Sequence, residues 1–317
     1  MNTGIILLIV LAVLTFVVVI ALALMMEYIF RATFYRVQPK AVAYVEPPRE
    51  KMNSIDRQRY DARRKLEAMP SERWEMTAED GTVLVAHYVP AANAVRTVIL
   101  FHGWRSTWSR DFGMHTEFLL RLGTNLLFAE QRSHGESGGK FIGFGALEQH
   151  DCLQWLSYFR EKKNDALPVY LFGVSMGAAT VLMASDKLPK GSVRGIIADS
   201  GFTSPAAIVE KVMEQKHTAA PHFFTSLLNL WTTTRARFSM TKNSTLFSMQ
   251  TNTTPILFVH GKKDDFVPIE MTMENYAACS AKKRILLVDG APHAKSFIVD
   301  PETYEKEITE FFGEHDA

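Results

Sequence analysis

Apolar and polar positions alternate along this chain in three regimes. From Gly4 to Met26 the run GIILLIVLAVLTFVVVIALALMM is apolar at every position except Thr15. As a helix it would extend about 34 Å, enough to cross a hydrocarbon core of about 30 Å. MNTG supplies no basic n-region and the run exceeds a signal-peptide core, so the pattern predicts a transmembrane anchor over residues 1–30. Arg31, Arg36 and Lys40 follow it, opposed only by Glu27, which predicts a single-pass protein with its large C-terminal part in the cytoplasm.

The second regime, residues 31–71, is charged. RVQPKAVAYVEPPREK reads as a Pro-containing linker, and SIDRQRYDARRKLEAM as a helix with dense alternating charge, solvated by default. From Glu72 onward short apolar runs alternate with amphipathic stretches. RWEMTA and TVLVAHYV straddle Glu79-Asp80-Gly81 and read as a hairpin. TVILFHG, TNLLFAEQR, PVYLFGVS, VRGIIADSG, PILFVHG and KRILLVDG then give buried strands. Helices fall between them, near Asp111–Leu122, over LEQHDCLQWLSYFREKK and MGAATVLMASDKL, near Ile269–Ala281, and near Thr303–Phe312. Such a series predicts an α/β fold over residues 72–317, a mostly parallel sheet of about eight strands covered by helices on both faces. Between Thr203 and Thr254 only helical patterns occur. An insertion of that length carries its own structure, and a helical cap over the strand ends is expected.

Composition narrows the partners. The chain has 317 residues, 47% of them hydrophobic, with a net charge of +1, which excludes a disordered chain and a polyanion binder. No nucleic-acid partner and no obligate protein partner is expected. Cys152 and Cys279 fall in helical segments as buried free thiols, and unpaired cysteines suit a reducing compartment. No metal-ligand spacing and no Gly-x-Gly-x-x-Gly after a strand occurs, so neither metal nor cofactor is expected. The sequons at Asn243 and Asn252 carry no weight alone.

In a parallel α/β sheet ligands bind at the carboxyl ends of the strands. That rim collects His102-Gly103-Trp104, Arg132-Ser133-His134, Ser175, Asp199, Asp264-Asp265 and His293. Gly173-Val174-Ser175-Met176-Gly177 has the spacing of a sharp strand-to-helix turn, in which only small residues fit two positions either side of a strained serine. An inert serine at a tight corner is the alternative.

At this point the chain resembles the α/β-hydrolase family, in its monoacylglycerol-lipase-like or serine-aminopeptidase-like branch, over roughly Glu72 to Phe312. The resemblance implies the order nucleophile, acid, base. PILFVHGKKDDFVP is similar to the family's His-Gly-x-x-Asp-x-x-Val-Pro loop and aligns Asp264 as the acid, and VDGAPHAKSF aligns His293 as the base of Ser175. Asp199 occupies a position that some lipase-like relatives use for the acid. The resemblance assigns the oxyanion hole to the backbone N–H groups of Met176 and Trp104, and gives His102 and His134 loop-shaping roles. Asp265 is off register with the loop pattern.

The expected activity is that of a membrane-anchored serine hydrolase cleaving carboxylic esters, on a small-molecule or lipidic substrate. A peptidase or amidase, or a silent membrane-tethered binding module, are the alternatives. Phe223, Phe224, Leu227, Leu228, Leu230 and Trp231 either fix the cap to the core or line an acyl pocket.

Overall fold

The computed structural model describes residues 3–36, 46–164 and 166–316. Of the expected linker, residues 37–45 lie outside the described residues. The chain opens on helix α1 (Thr3–Phe34), then α2 (Ser54–Glu67), whose N-cap Asn53 accepts the Asp56 N–H at 2.8 Å. Strands β1 (Glu72–Thr77), β2 (Val83–Val89) and β3 (Arg96–Phe101) follow, then α3 (Trp108–Arg121), β4 (Thr124–Ala129), α4 (Glu148–Lys163), β5 (Val169–Val174) and α5 (Met176–Ala184). After β6 (Gly195–Asp199) come α6 (Pro205–Gln215), α7 (Pro221–Trp231), a π-helical turn (Thr232–Ala236) and α8 (Thr245–Thr251). The chain closes with β7 (Ile256–Gly261), α9 (Ile269–Ala278), β8 (Lys283–Val288), α10 (Ser296–Val299) and α11 (Pro301–His315).

The eight strands form one sheet, ordered β1-β2-β4-β3-β5-β6-β7-β8. β1 and β2 pair antiparallel, β2 joins β4 antiparallel, and every other pair is parallel. The sequence pattern predicts this because β3, β4, β5, β6 and β7 are buried along their whole length, as strands covered on both faces must be. Trp155 and Phe159 of α4 cover one face, while Phe112 of α3 and Tyr304, Ile308 and Phe311 of α11 cover the other.

A third apolar cluster sits at the carboxyl end of the sheet and draws in α1. The most apolar stretch of that helix has no buried residue, whereas Met26, Phe30 and Phe34 are fully buried among Phe144, Met176, Phe202 and Phe238. The helix end is also hydrogen-bonded to the domain. Tyr35 bridges Phe141, the Ile142 N–H donates to the Phe34 carbonyl at 2.7 Å, and Arg105 Nη2 donates to the Ala32 and Tyr35 carbonyls at 3.0 and 2.7 Å. These donors meet carbonyls that a helix C-terminus leaves unsatisfied. The charged α2 likewise docks rather than standing in solvent. Leu66 is buried, Ser109 of α3 donates to Glu67 at 2.8 Å, and Lys295 pairs with Asp56 at 3.1 Å.

Two arginines tie distant segments through ion pairs. Arg96 at the start of β3 reaches Asp316, whose Oδ1 accepts from Tyr170 Oη of β5 at 2.9 Å. Arg132, after β4, forks onto Asp151 of α4 at 2.6 and 2.5 Å and reaches Asp80 in the hairpin turn at 2.8 Å. Asp151 is buried while Asp80 is half exposed. Removing one partner of a buried pair leaves a stranded charge. Urea unfolding should therefore show Asp151→Ala losing about 3–5 kcal/mol, and Asp80→Ala about 1 kcal/mol or less.

Candidate active site

Ser175 stands between β5 and α5 with φ 55° and ψ −115°, outside the ordinary L-residue regions. Its flanking glycines explain how the corner closes. A Cβ on Gly173 would lie 2.1 Å from the Gly177 carbonyl oxygen, and one on Gly177 would lie 1.8 Å from the Phe101 carbonyl oxygen of β3. The Ser175 N–H donates to the Asp199 carbonyl at 2.8 Å, holding the corner to β6.

Two loops bring side chains to the hydroxyl. His293, after β8, sets Nε2 2.9 Å from Ser175 Oγ and Nδ1 2.7 Å from Asp264 Oδ2. Beside a carboxylate Nδ1 carries the proton, which leaves Nε2 free to accept from the serine. Asp264, after β7, is buried at its side chain, and its Oδ1 accepts the Phe266 and Val267 N–H groups at 2.9 and 2.8 Å. Burial alone would raise this carboxyl, yet the hydrogen bonds from His260 and His293 outweigh it and hold the group well below the usual carboxylate range. It stays ionised at neutral pH.

Met176 opens α5, so its N–H is among the helix-terminal donors that no turn of the helix satisfies. Facing it, the Gly103-Trp104 backbone lies against the serine: a Cβ on Gly103 would be 3.3 Å from Ser175 Cβ. Asp111 of α3 fixes that loop, accepting the Gly103 N–H at 2.7 Å and the Ser106 hydroxyl at 2.6 Å.

His102 and His134 shape the same loops. His102 Nδ1 donates to the Gly103 carbonyl at 2.8 Å and Nε2 accepts the Gln131 N–H at 3.1 Å. His134 Nδ1 donates to the Arg132 carbonyl at 2.9 Å and Nε2 accepts the Arg105 N–H at 3.0 Å. Each ring needs one bare nitrogen, so each is neutral. Burial depresses both, His134 to about 3.

Asp199 is not brought to the histidine. Its carboxylate accepts from Ser200 Oγ at 2.8 Å and from Tyr304 Oη at 2.9 Å, and burial raises it. Asp265 is exposed. Of the six apolar residues between Phe223 and Trp231 named above, only Leu228 is buried, while Phe223 and Leu230 are exposed.

Sequence reasoning misses three contributors. Asp111 looks like any first-turn acid of α3. The buried end of α1 looks like more membrane span. His260, inside the PILFVHG strand, lies 3.3 Å from Asp264 Oδ2 through Nε2, while Thr272 Oγ1 meets its Nδ1 at 2.7 Å. A histidine in a buried strand, four residues before an acid, was the signal for it.

Among known proteins, a family model described as serine aminopeptidase, S33 matches residues 92–248. The uncharacterised Bacillus subtilis protein YqkD is 24% identical over 252 residues, 80% of this chain and 82% of its own. The Pyrococcus furiosus esterase Pf2001 superposes with a TM-score of 0.62 at 22% identity, covering 86% of this chain and 98% of its own. The alpha/beta hydrolase GrgF from Penicillium superposes at 0.63 and 17% identity, covering 78% and 99%. The chain has the α/β-hydrolase fold.

The neutral histidines make stability pH-dependent. In the unfolded chain His134 would titrate near 6.5, whereas the folded protein holds it to about 3. The unfolded state binds the extra proton between those values, so this contribution is complete above pH 6.5 and declines as pH falls toward 3. Urea unfolding between pH 6 and 4 should show His134→Gln flattening the slope of stability by about 1.4 kcal/mol per pH unit.

Proposed function

On the scaffold of an α/β-hydrolase fold, we propose that this chain is a membrane-anchored serine hydrolase that cleaves carboxylic esters through an acyl-enzyme. The observation that carries this reading is the continuous relay from Ser175 Oγ through His293 to Asp264, at 2.9 and 2.7 Å, on a serine at a strained corner. Ser175 is the nucleophile, His293 the general base and acid, and Asp264 the group that fixes the imidazole tautomer. Asp199, bonded to Tyr304 and Ser200, is a structural carboxylate in this reading.

As Oγ bonds to the ester carbon, its proton passes to His293 Nε2 and the carbonyl π electrons move onto oxygen. The N–H groups of Met176 and Trp104 stabilise that oxyanion. Collapse breaks the carbon–alkoxide bond, and His293 returns the proton to the departing alcohol. Water then repeats the sequence on the acyl-enzyme, restoring Ser175 and releasing the acid. Asp264 stays ionised throughout, offsetting the imidazolium.

Residues 1–30 anchor the protein, residues 31–71 connect, and residues 72–317 catalyse, with the helical segment 203–254 as cap. Arg31, Arg36 and Lys40, at and beyond the end of α1, support a cytoplasmic catalytic domain in this reading. The serine aminopeptidase match favours amide substrates as the second reading, distinguished by turnover of aminoacyl-amide against short-chain aryl-ester probes.

A fluorophosphonate probe tests the nucleophile. Wild type should label and Ser175→Ala should not, with kcat on an aryl ester falling by about 10⁴-fold or more. Asp264→Asn should cost about 10³–10⁴-fold and Asp199→Asn less than about tenfold. Equal labelling of Ser175→Ala, or a larger loss at Asp199, would sink the assignment.

A further inference from the structure

We propose that the end of α1 is a positioning element of the catalytic site: docked on Trp104 and Arg105, it holds the Trp104 N–H where the oxyanion forms. This deepens the reading above and rests on its serine-hydrolase part, not on the membrane.

A helix leaves its last four carbonyls without partners inside itself. In α1 these belong to Arg31, Ala32, Thr33 and Phe34. The Arg31 carbonyl accepts the Tyr35 N–H at 3.3 Å, within the same segment. The other three are met from the domain. Phe34 takes the Ile142 N–H at 2.7 Å, Thr33 takes Trp104 Nε1 at 3.1 Å, and Ala32 takes Arg105 Nη2 at 3.0 Å. Arg105 also reaches past the helix, donating from Nη2 to the Tyr35 carbonyl at 2.7 Å and from Nη1 to the Arg36 carbonyl at 3.3 Å. Two consecutive residues of one loop thus cap the helix. One of them brings a cation to its negative end, where the helix dipole favours it.

The same loop flanks the nucleophile. Gly103 lies against Ser175, and its own N–H is taken by Asp111 at 2.7 Å, which leaves the next N–H, that of Trp104, for the developing oxyanion. The Gly103 carbonyl accepts from His102 Nδ1 at 2.8 Å, so the peptide plane that carries the Trp104 N–H is fixed at its other end. Arg105 follows with φ 51°, a left-handed conformation that a long side chain keeps only where its surroundings impose it. Its N–H donates to His134 Nε2 at 3.0 Å, and its side chain is spread over the α1 terminus. The Trp104 ring is held by Thr33 through Nε1, by Phe144 at 5.8 Å between centroids, and by the Arg105 guanidinium at 5.1 Å. Phe144 packs in turn on Phe34 of α1 at 5.3 Å. The loop is therefore clamped between Asp111 on one side and α1 on the other. Arg105 touches no reacting atom in this reading. It acts through Trp104, as a positioning residue.

The test uses the full-length chain in detergent micelles, a short-chain aryl ester, and a trifluoromethyl ketone whose hemiketal with Ser175 carries the oxyanion. Arg105→Met removes the donors to α1, and Trp104→Phe removes Nε1 while keeping a ring. Each should lower kcat by about tenfold or more with KM within about twofold, and weaken the ketone by the same factor as kcat, because the interaction exists only once charge develops. Arg105→Lys, which keeps a charge and a donor, should recover part of kcat. Glu27→Gln, which releases α1 from Arg235 but not from this loop, should leave kcat within about twofold of wild type. A smaller kcat loss in either folded loop variant overturns the proposal, as does a loss carried by KM or an equal loss in Glu27→Gln. Should Arg105→Met not fold, Trp104→Phe decides alone. Failure of the underlying reading looks different and takes the proposal with it: a wild-type chain that takes no fluorophosphonate label is no serine hydrolase, whatever the variants do.

Discussion

The site hangs on one strained residue. Holding a serine at φ 55° costs on the order of 1–3 kcal/mol, so such a corner persists only where its surroundings leave the backbone no alternative. Here the constraint is mutual contact between three strands and one helix. Gly173 lets β5 meet the first turn of α5, Gly177 lets α5 touch the β3 backbone, and the Ser175 N–H is pinned to β6. Everything proposed for Ser175 depends on that compression. The same geometry that exposes Oγ to His293 also aims the first N–H groups of α5 at the space above it.

Around this corner the polar groups divide by charge state. Asp264, fed by two backbone N–H groups and two imidazoles, is held anionic. Asp199, equally close to the strand ends but met only by hydroxyls, is pushed toward its neutral form by burial. His102 and His134 are held neutral by carbonyl acceptors and N–H donors on opposite nitrogens. Two carboxylates and four histidines thus acquire separate tasks from their neighbours rather than from residue type.

Much of this is legible in the residue pattern, and the rest fails for identifiable reasons. The strands read cleanly because a parallel sheet buried on both faces demands continuous apolar runs, and VYLFGV or ILFVHG satisfies no other element so well. Candidate chemistry is legible where short loops follow those strands, since the loop position alone puts Ser175, Asp264 and His293 on one rim. The end of α1 is not legible. Met26, Phe30 and Phe34 continue an apolar run, and hydrophobicity does not distinguish lipid from a protein neighbour. Nor is the docking of α2 legible, because it meets Ser109 and Lys295 through Glu67 and Asp56, its own side chains that pattern as solvated charge. The loop after β7 already favours Asp264 over Asp199 in the sequence, but that Tyr304, from a distant helix, occupies Asp199 is not legible there.

The Arg96–Asp316 pair has a consequence in time. Its partners are 220 residues apart, and Tyr170 and the aromatic rings of α11 close over the same spot. β3 lies near the centre of the sheet, yet the side chain at its entrance has no counter-charge until residue 316 is made. During synthesis the six strands through β6 leave the ribosome with one face of the sheet uncovered by α11, and loop closure over so long a separation is slow. The domain therefore completes its core only once α11 has been made.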